Sequence, residues 1–176
     1  MDCSRKGISS KMGWYKLSIE FNEIMKMLNC RNNVKTQELG IRLASKLNCI
    51  DVFIQPDNYG NKDIWENCAK IITKKSDNEL EPYLINLLNW LQDINWPGAL
   101  IILKRLKNYQ GIQLVRDLEL IIDTASNMNN EDGLMWLDYL SELLDNQNLK
   151  NKLSKKHFLV LSNHYHNWCY WYKDKD

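Results

Sequence analysis

Three histidines (His157, His164 and His166) and five cysteines (Cys3, Cys30, Cys49, Cys68 and Cys169) are the side chains best suited to metal binding or nucleophilic chemistry. Their spacing argues against both. On one helix, His164 and His166 would point to different sides, whereas a zinc pair sits four residues apart on one face. Cys169 stands three residues from His166, which is within reach, yet no further ligand accompanies the two. The cysteines are odd in number and scattered, unlike a disulfide framework or a zinc cluster. Cys49 and Cys68 read as small apolar fillers. The seven glycines are isolated, so no loop is built to cradle phosphate. The paired carboxylates Glu131 and Asp132 suit a helix start, where the dipole favours them. No nucleophile sits beside a base, so the expectation is a non-enzyme without catalytic residues, metal or cofactor.

Charge is distributed more tellingly. The 176 residues carry 23 cations and 22 anions, which leaves no global field toward nucleic acid or an anionic membrane. Residues 111–148 nevertheless hold Arg116 as their one cation against eight anions, a net of −7. Residues 1–50 hold nine cations against four anions, a net of +5. Such segregation fits either solvated outer faces or an acidic patch shaped for a basic partner. The candidate partner-binding residues are Asp117, Asp123, Asp138, Glu142 and Asp145.

The elements that would position these charges are helices. Apolar residues recur at three- and four-residue steps in Leu17/Phe21/Ile24/Leu28, Leu39/Leu43/Leu47/Ile50, and Ile64/Trp65/Cys68/Ala69/Ile72. The same period marks Tyr83/Leu84/Leu87/Leu88/Leu91, Leu100/Leu103/Leu106, and Leu114/Leu118/Ile121/Ile122/Ala125. It marks Leu137/Leu140/Leu144 and Phe158/Leu161/Tyr165/Trp168/Tyr172 as well. Asp77 or Asn78, Asn130 or Asp132, and Ser154 are candidate N-caps. Residues 50–54 alternate like a strand, but they are short, stop before Pro56, and read as a helix end plus an extended connector. Pro56 to Asn61 is the longest loop. The fold expected is all-α: one domain of about eight helices in antiparallel hairpins, with residues 1–12 disordered. Ala99, Ile101 and Ile102 widen the apolar stripe of the fifth helix, which favours a short HEAT-like solenoid over a four-helix bundle.

Residues 89–98 read Asn-Trp-Leu-Gln-Asp-Ile-Asn-Trp-Pro-Gly. This resembles the W-L-Q-D-x-N-W-P segment of a bacterial family of small helical proteins of unknown function, with the resemblance extending over about Asp63 to Leu144. Trp136 matches a further tryptophan of that family. Members resemble HEAT-type repeats and some are placed in toxin–immunity neighbourhoods, so the resemblance implies a helical-repeat fold and no inherited catalytic residue. Physically, Trp90, Asp93, Asn95, Trp96 and Pro97 describe a corner. Pro97 suits the first position of the next helix, Asp93 and Asn95 can accept hydrogen bonds from its free amides, and the two indoles can pack across the bend. A second reading lets Asp93 and the tryptophans face a ligand.

No apolar run approaches a membrane span, and no signal-peptide core follows the charged start, so the expected location is the cytoplasm. The leading expectation is an immunity or inhibitor protein that covers a basic cognate toxin with its acidic helices. A general HEAT-like scaffold comes second. A nucleic-acid-binding repeat protein comes third, since only residues 1–50 offer surplus positive charge.

Overall fold

The structure, a computed structural model, describes residues 20–57 and 62–167. Expectations for residues 1–12, Leu17, Trp168, Cys169, Tyr172 and most of the 56–61 loop lie outside them. Every regular element among the described residues is an α- or 3-10 helix, so the fold is all-α. The chain divides into two compact units, Met1–Lys75 and Ser76–Asp176.

The first unit contains α1 (20–27), α2 (Val34–Ala44) and α3 (Trp65–Ile72). Asn33 caps α2 by accepting the Thr36 amide at 3.0 Å. The expected stripe on this helix is out of phase. Its buried residues are Gly40, Ile41 and Ala44, while Leu39 is exposed and Leu43 half-buried. The cause is close approach: a Cβ on Gly40 would lie 2.8 Å from Met27 Cβ, so small residues face α1 and the leucines turn away. The helix also stops at Ala44, well before Ile50. Residues Asp51–Phe53 form a 3-10 turn that buries Phe53, and only Ile54 beyond it is extended. Helix α3 follows its periodicity closely, with Ile64, Trp65, Cys68, Ala69 and Ile72 all buried. Asn67 Nδ2 donates to Leu28 O and to Gln37 Oε1, each at 2.8 Å, and so ties α3 to both neighbours. The buried Lys75 donates to Ser45 O and Leu47 O, carbonyls just past the end of α2.

The second unit opens with α4 (Asp77–Leu80), which a 3-10 turn (Glu81–Tyr83) links to α5 (Leu84–Asn89). The cap is Ser76, not Asp77 or Asn78. Its hydroxyl and amide engage Glu79 in a capping box, which frees Asp77 to bind Arg105 at 2.6 Å and the Gln110 amide at 2.8 Å. Then come α6 (Ala99–Lys107), α7 (Gln113–Asn127) and α8 (Glu131–Ser141). A 3-10 turn (Glu142–Asp145), α9 (Gln147–Lys150) and α10 (Lys155–His164) complete the unit. Asn130 and Ser154 cap α8 and α10 as expected. In α6 the buried set is Ala99, Ile102, Leu103 and Leu106, and Leu100 is 52% exposed instead of lying in the stripe.

Helices α7 and α8 form a hairpin turned by Met128, Asn129 and Asn130, with Asn129 left-handed at φ 51°. The expected stripes Leu114/Leu118/Ile121/Ile122/Ala125 and Leu137/Leu140/Leu144 are all buried. Gly133 makes the close packing possible. A Cβ there would sit 2.5 Å from the carbonyl oxygen of Ala125. Helix propensity alone would have Gly133→Ala add about 1 kcal/mol of stability. Packing reverses the sign: urea unfolding of the full chain should show a loss of about 1–3 kcal/mol. A gain would mean that the hairpin parts at little energetic cost.

Candidate functional site

The carboxylates of α7, α8 and the following turn belong to three settings. Asp138, Glu142 and Asp145 recur at helical spacing along one face of α8 and its 3-10 extension. Lys107, from the end of α6, bridges Glu142 at 3.1 Å and Asp145 at 2.7 Å. The end of α10 approaches from the other side. His164 Nδ1 meets Asp138 at 2.6 Å, His166 Nδ1 meets Glu142 at 2.9 Å, and the Tyr165 hydroxyl donates to Asp145. Ser141 Oγ donates to His164 O at 3.1 Å, and Asn167 Nδ2 donates to Asp138 at 3.2 Å. His166 holds its position at φ 63°, a left-handed backbone, with its ring 3.7 Å from that of Tyr165. The last histidine therefore lies beyond the helix, not on it.

A second cluster joins α7 to the start of α10. Lys156 pairs with Asp123 at 2.6 Å, and Glu119 accepts the Ser154 amide at 2.8 Å. His157 is buried between them. Its Nδ1 is 2.7 Å from Ser154 Oγ, and its Nε2 lies 3.2 Å from Asp123 without hydrogen-bond alignment. The serine, histidine and carboxylates form a chain, but Ser154 also accepts the His157 amide as a helix cap. That arrangement is an N-cap, with the Ser154 amide satisfied by Glu119 from α7.

Asp117 stands apart from both clusters. Its hydrogen-bond partner is neutral, Gln113 Nε2 at 2.8 Å, and it lines a small groove with Glu81, Pro82 and Ile85. Its charge is felt at Tyr109, whose hydroxyl is pushed up first by burial and then by the Asp77, Glu81 and Asp117 carboxylates, against Arg105. Glu131 and Asp132 are exposed at the start of α8, and neither has an ion-pair partner among the described residues.

Of the five residues expected to meet a partner, the structure thus gathers Asp138, Glu142 and Asp145, places Asp123 elsewhere, and leaves Asp117 without a cation. Glu142 is a correction. It is only 4% exposed, with its oxygens on Lys107 and His166, so it is an internal charge and not part of an outer patch. The residues sequence reasoning missed are Lys107, Lys156, His157, His164, Tyr165 and His166, as partners of these acids. The available signal was that basic and imidazole side chains flank the acidic segment on both sides.

The Trp-Pro corner is held by its own polar groups. Trp90 is fully buried and its Nε1 donates to Pro97 O at 3.2 Å. Asp93 Oδ1 accepts the Asn95 amide at 2.8 Å, inside the turn and not at the next helix. Pro97 is not the first helical residue. Ala99 N donates to Trp96 O at 3.0 Å, and Gly98 has φ 86°, ψ −11°, the geometry of a type II turn with proline second. Trp96 is half-buried. Trp136 is buried, and its Nε1 donates to Leu88 O at 3.2 Å beside this corner. Among the described residues no three His, Cys, Asp or Glu side chains are placed to hold a metal. Burial pushes the Cys68 thiol up to about 12, which keeps it a thiol at neutral pH.

Two outcomes follow for the clusters. Glu142→Gln should lower stability by about 2 kcal/mol, because Lys107 and His166 lose a buried counter-charge, whereas Asp117→Asn should stay within about 0.5 kcal/mol. Chemical denaturation of the two variants checks this. For pH, burial opposes the Asp145 charge, but hydrogen bonds from Lys107 and Tyr165 outweigh it and hold the carboxyl below its ordinary value. Asp123 is also lowered, first by the hydrogen bond from Lys156 and then by the adjacent His157 imidazole. A lowered carboxyl stabilises the fold above its unfolded value of about 3.9, and the contribution vanishes as pH falls through the folded value. Lys107 is the reverse case: burial opposes its charge, the Asp145 and Glu142 bonds prevail, and its ammonium is held above the ordinary value. Its contribution is intact below about 10.4 and vanishes as pH rises through the folded value. Melting temperature should therefore fall less steeply for Asp145→Asn than for the wild type below about pH 4. Equal slopes would show that the carboxylate is not coupled to folding.

No curated protein and no solved structure matches the chain significantly. The family defined as a domain of unknown function, DUF5071, matches residues 62–169, from the 3-10 turn before α3 through the end of α10 and including the Trp-Pro corner, both acid clusters and Trp136. That match covers more than half of the sequence, and the chain belongs to the DUF5071 family.

Proposed function

We propose that this chain is a non-enzymatic protein-binding module, an immunity or inhibitor protein that neutralises a basic bacterial toxin by covering it with the acidic side of α7 and α8. The observation that carries the reading is the state of the carboxylates once intramolecular pairs are taken into account. Asp123, Asp138, Glu142 and Asp145 have cationic or imidazole partners, and they fix α6, α8 and α10 in place. Asp117, Glu81, Glu131 and Asp132 form no ion pair among the described residues, Asp117 being half-buried and the other three exposed. A rigid acidic face steers a basic partner and pays little ordering entropy on binding. In this reading the first set of acids shapes the surface and the second set meets the partner.

Stacked helix hairpins of the HEAT kind would suit such a surface, and the cytosol would suit the free thiols Cys30, Cys49 and Cys68. No helix among the described residues is long and apolar enough to cross a membrane. Tagged full-length protein recovered from its native host should bring down a basic protein and inhibit that protein's activity when the two are mixed. Reversing Asp117, Glu131 and Asp132 to lysine should slow association about tenfold at low salt and flatten its salt dependence. An affinity unchanged by salt and by all three reversals would remove the acidic-surface reading. Reversing Asp138, Glu142 and Asp145 is a poorer test, because it also breaks the contacts that hold α10.

A further inference from the structure

The tip of the α7–α8 hairpin carries an open groove lined in part by the core residues Ala125 and Leu137 and in part by polar side chains. It has a volume of about 390 Å³ and is lined by Ala125, Ser126, Asn129, Glu131, Leu134 and Leu137, among others. Leu134 is 56% exposed, and its neighbours Met135 and Met128 are 42% and 40% exposed. The groove is preformed. Gly133 seats α8 against the Ala125 carbonyl, Asn130 caps α8 through the Gly133 amide at 2.9 Å, and Asn129 turns the chain with a left-handed backbone. Glu131 stands in the groove wall and Asp132 follows it on α8, both exposed and without a cation among the described residues. Leu134 in the groove, with the exposed methionines Met128 and Met135 on the same hairpin, suits an apolar surface of variable shape. The carboxylates select the sign of what flanks that surface.

We propose that this tip is the seat for a basic amphipathic helix of a partner protein, one apolar residue entering the groove and lysine or arginine lying against Glu131 and Asp132. The seat rests on the acidic-surface reading above and narrows it to one place and one chemistry. Charge complementarity decides the occupant. An acidic or neutral helix would leave both carboxylates facing like charge or nothing, whereas a basic one neutralises them while its apolar stripe covers Leu134 and Met135.

The test uses full-length protein and a fluorescent leucine–lysine peptide of about 18 residues with one apolar face. Its comparison peptides are a permuted version of the same composition without that face, and a leucine–glutamate counterpart. Anisotropy should show the amphipathic basic peptide binding at least about tenfold tighter than either comparison peptide. Leu134→Ser with Met135→Ser should weaken it about tenfold at unchanged melting temperature, both positions being exposed. Glu131→Gln with Asp132→Asn should flatten its salt dependence. Equal binding by the permuted peptide, or undiminished binding by the Leu134/Met135 variant, would overturn the seat. A loss of peptide binding with Asp117→Asn but not with the tip variants also overturns it, while leaving the acidic-surface reading intact. Absence of binding by the wild type overturns the seat, and the host pull-down alone then decides the wider reading. If sizing shows a wild-type dimer that Leu134→Ser with Met135→Ser makes monomeric, a second copy of this chain occupies the groove and the proposal fails.

Discussion

Where helices turn into one another backbone carbonyls need donors, and in the second unit two buried indoles supply them. Trp136 Nε1 reaches Leu88 O near the end of α5, and Trp90 Nε1 reaches Pro97 O across the turn into α6. Each indole fills core volume with its ring while its N–H satisfies a backbone carbonyl, a buried one in the case of Leu88. Through Trp136, α8 is keyed to the corner between α5 and α6, and the acids of α8 then face the end of α6 where Lys107 stands. The two ring nitrogens thus position both the core and the charged face. Two polar atoms of the motif that carries the family resemblance, Trp90 Nε1 and Asp93 Oδ1, both end on backbone groups of the same turn and tie the corner into the framework.

Much of this was legible along the sequence wherever a helix buries a wide stripe of large residues. Every residue of the stripes expected for α3, α7 and α8 is buried, because leucine and isoleucine at helical spacing have one inexpensive place to go. The buried faces are wider than the stripes and also take in Asn67, Ile71, Val115 and Tyr139. Helix α2 defeats the same rule. There the face is chosen by how closely two backbones approach, and Gly40 with Ala44 outranks Leu39 with Leu43. Local chemistry also hides in equivalent alternatives. Ser76, Asp77 and Asn78 are all sound caps in sequence, and the distant Arg105 settles the matter by claiming Asp77. At the corner, proline is equally at home in a first helical turn and second in a type II turn, and Gly98 decides for the latter.

The candidate site was legible only as a composition. Counting charges in residues 111–148 identifies an acidic segment but is blind to the cations that fold onto it from outside. Lys107 lies 35 positions before Glu142, and Lys156 lies 33 after Asp123. Both fall outside the counted window, as do all three histidines. The structure returns part of the field to neutrality through Lys107 and Lys156. What remains outward-facing is a different subset of acids from the one a linear count selects. A charge that closes a tertiary contact and a charge that faces solvent look identical in sequence, since what separates them is a neighbour tens of residues away.

The backbone adds an independent argument that this face is built to stay in one shape. Among the described residues of the second unit, the two non-glycine residues with left-handed backbones are Asn129, at the α7–α8 turn, and His166, just past α10. Asparagine tolerates that region, and histidine enters it at a cost of about 1–2 kcal/mol. His166 is kept there by its bond to Glu142 and by the neighbouring Tyr165–Asp145 and His164–Asp138 contacts, so several charge-assisted bonds offset one strained residue. A surface meant to mould itself on contact would have little use for such restraint at both ends of α8. Fixing the hairpin turn at one end and the α10 terminus at the other leaves the outer acids of α7 and α8 on a platform whose geometry is set by the fold itself.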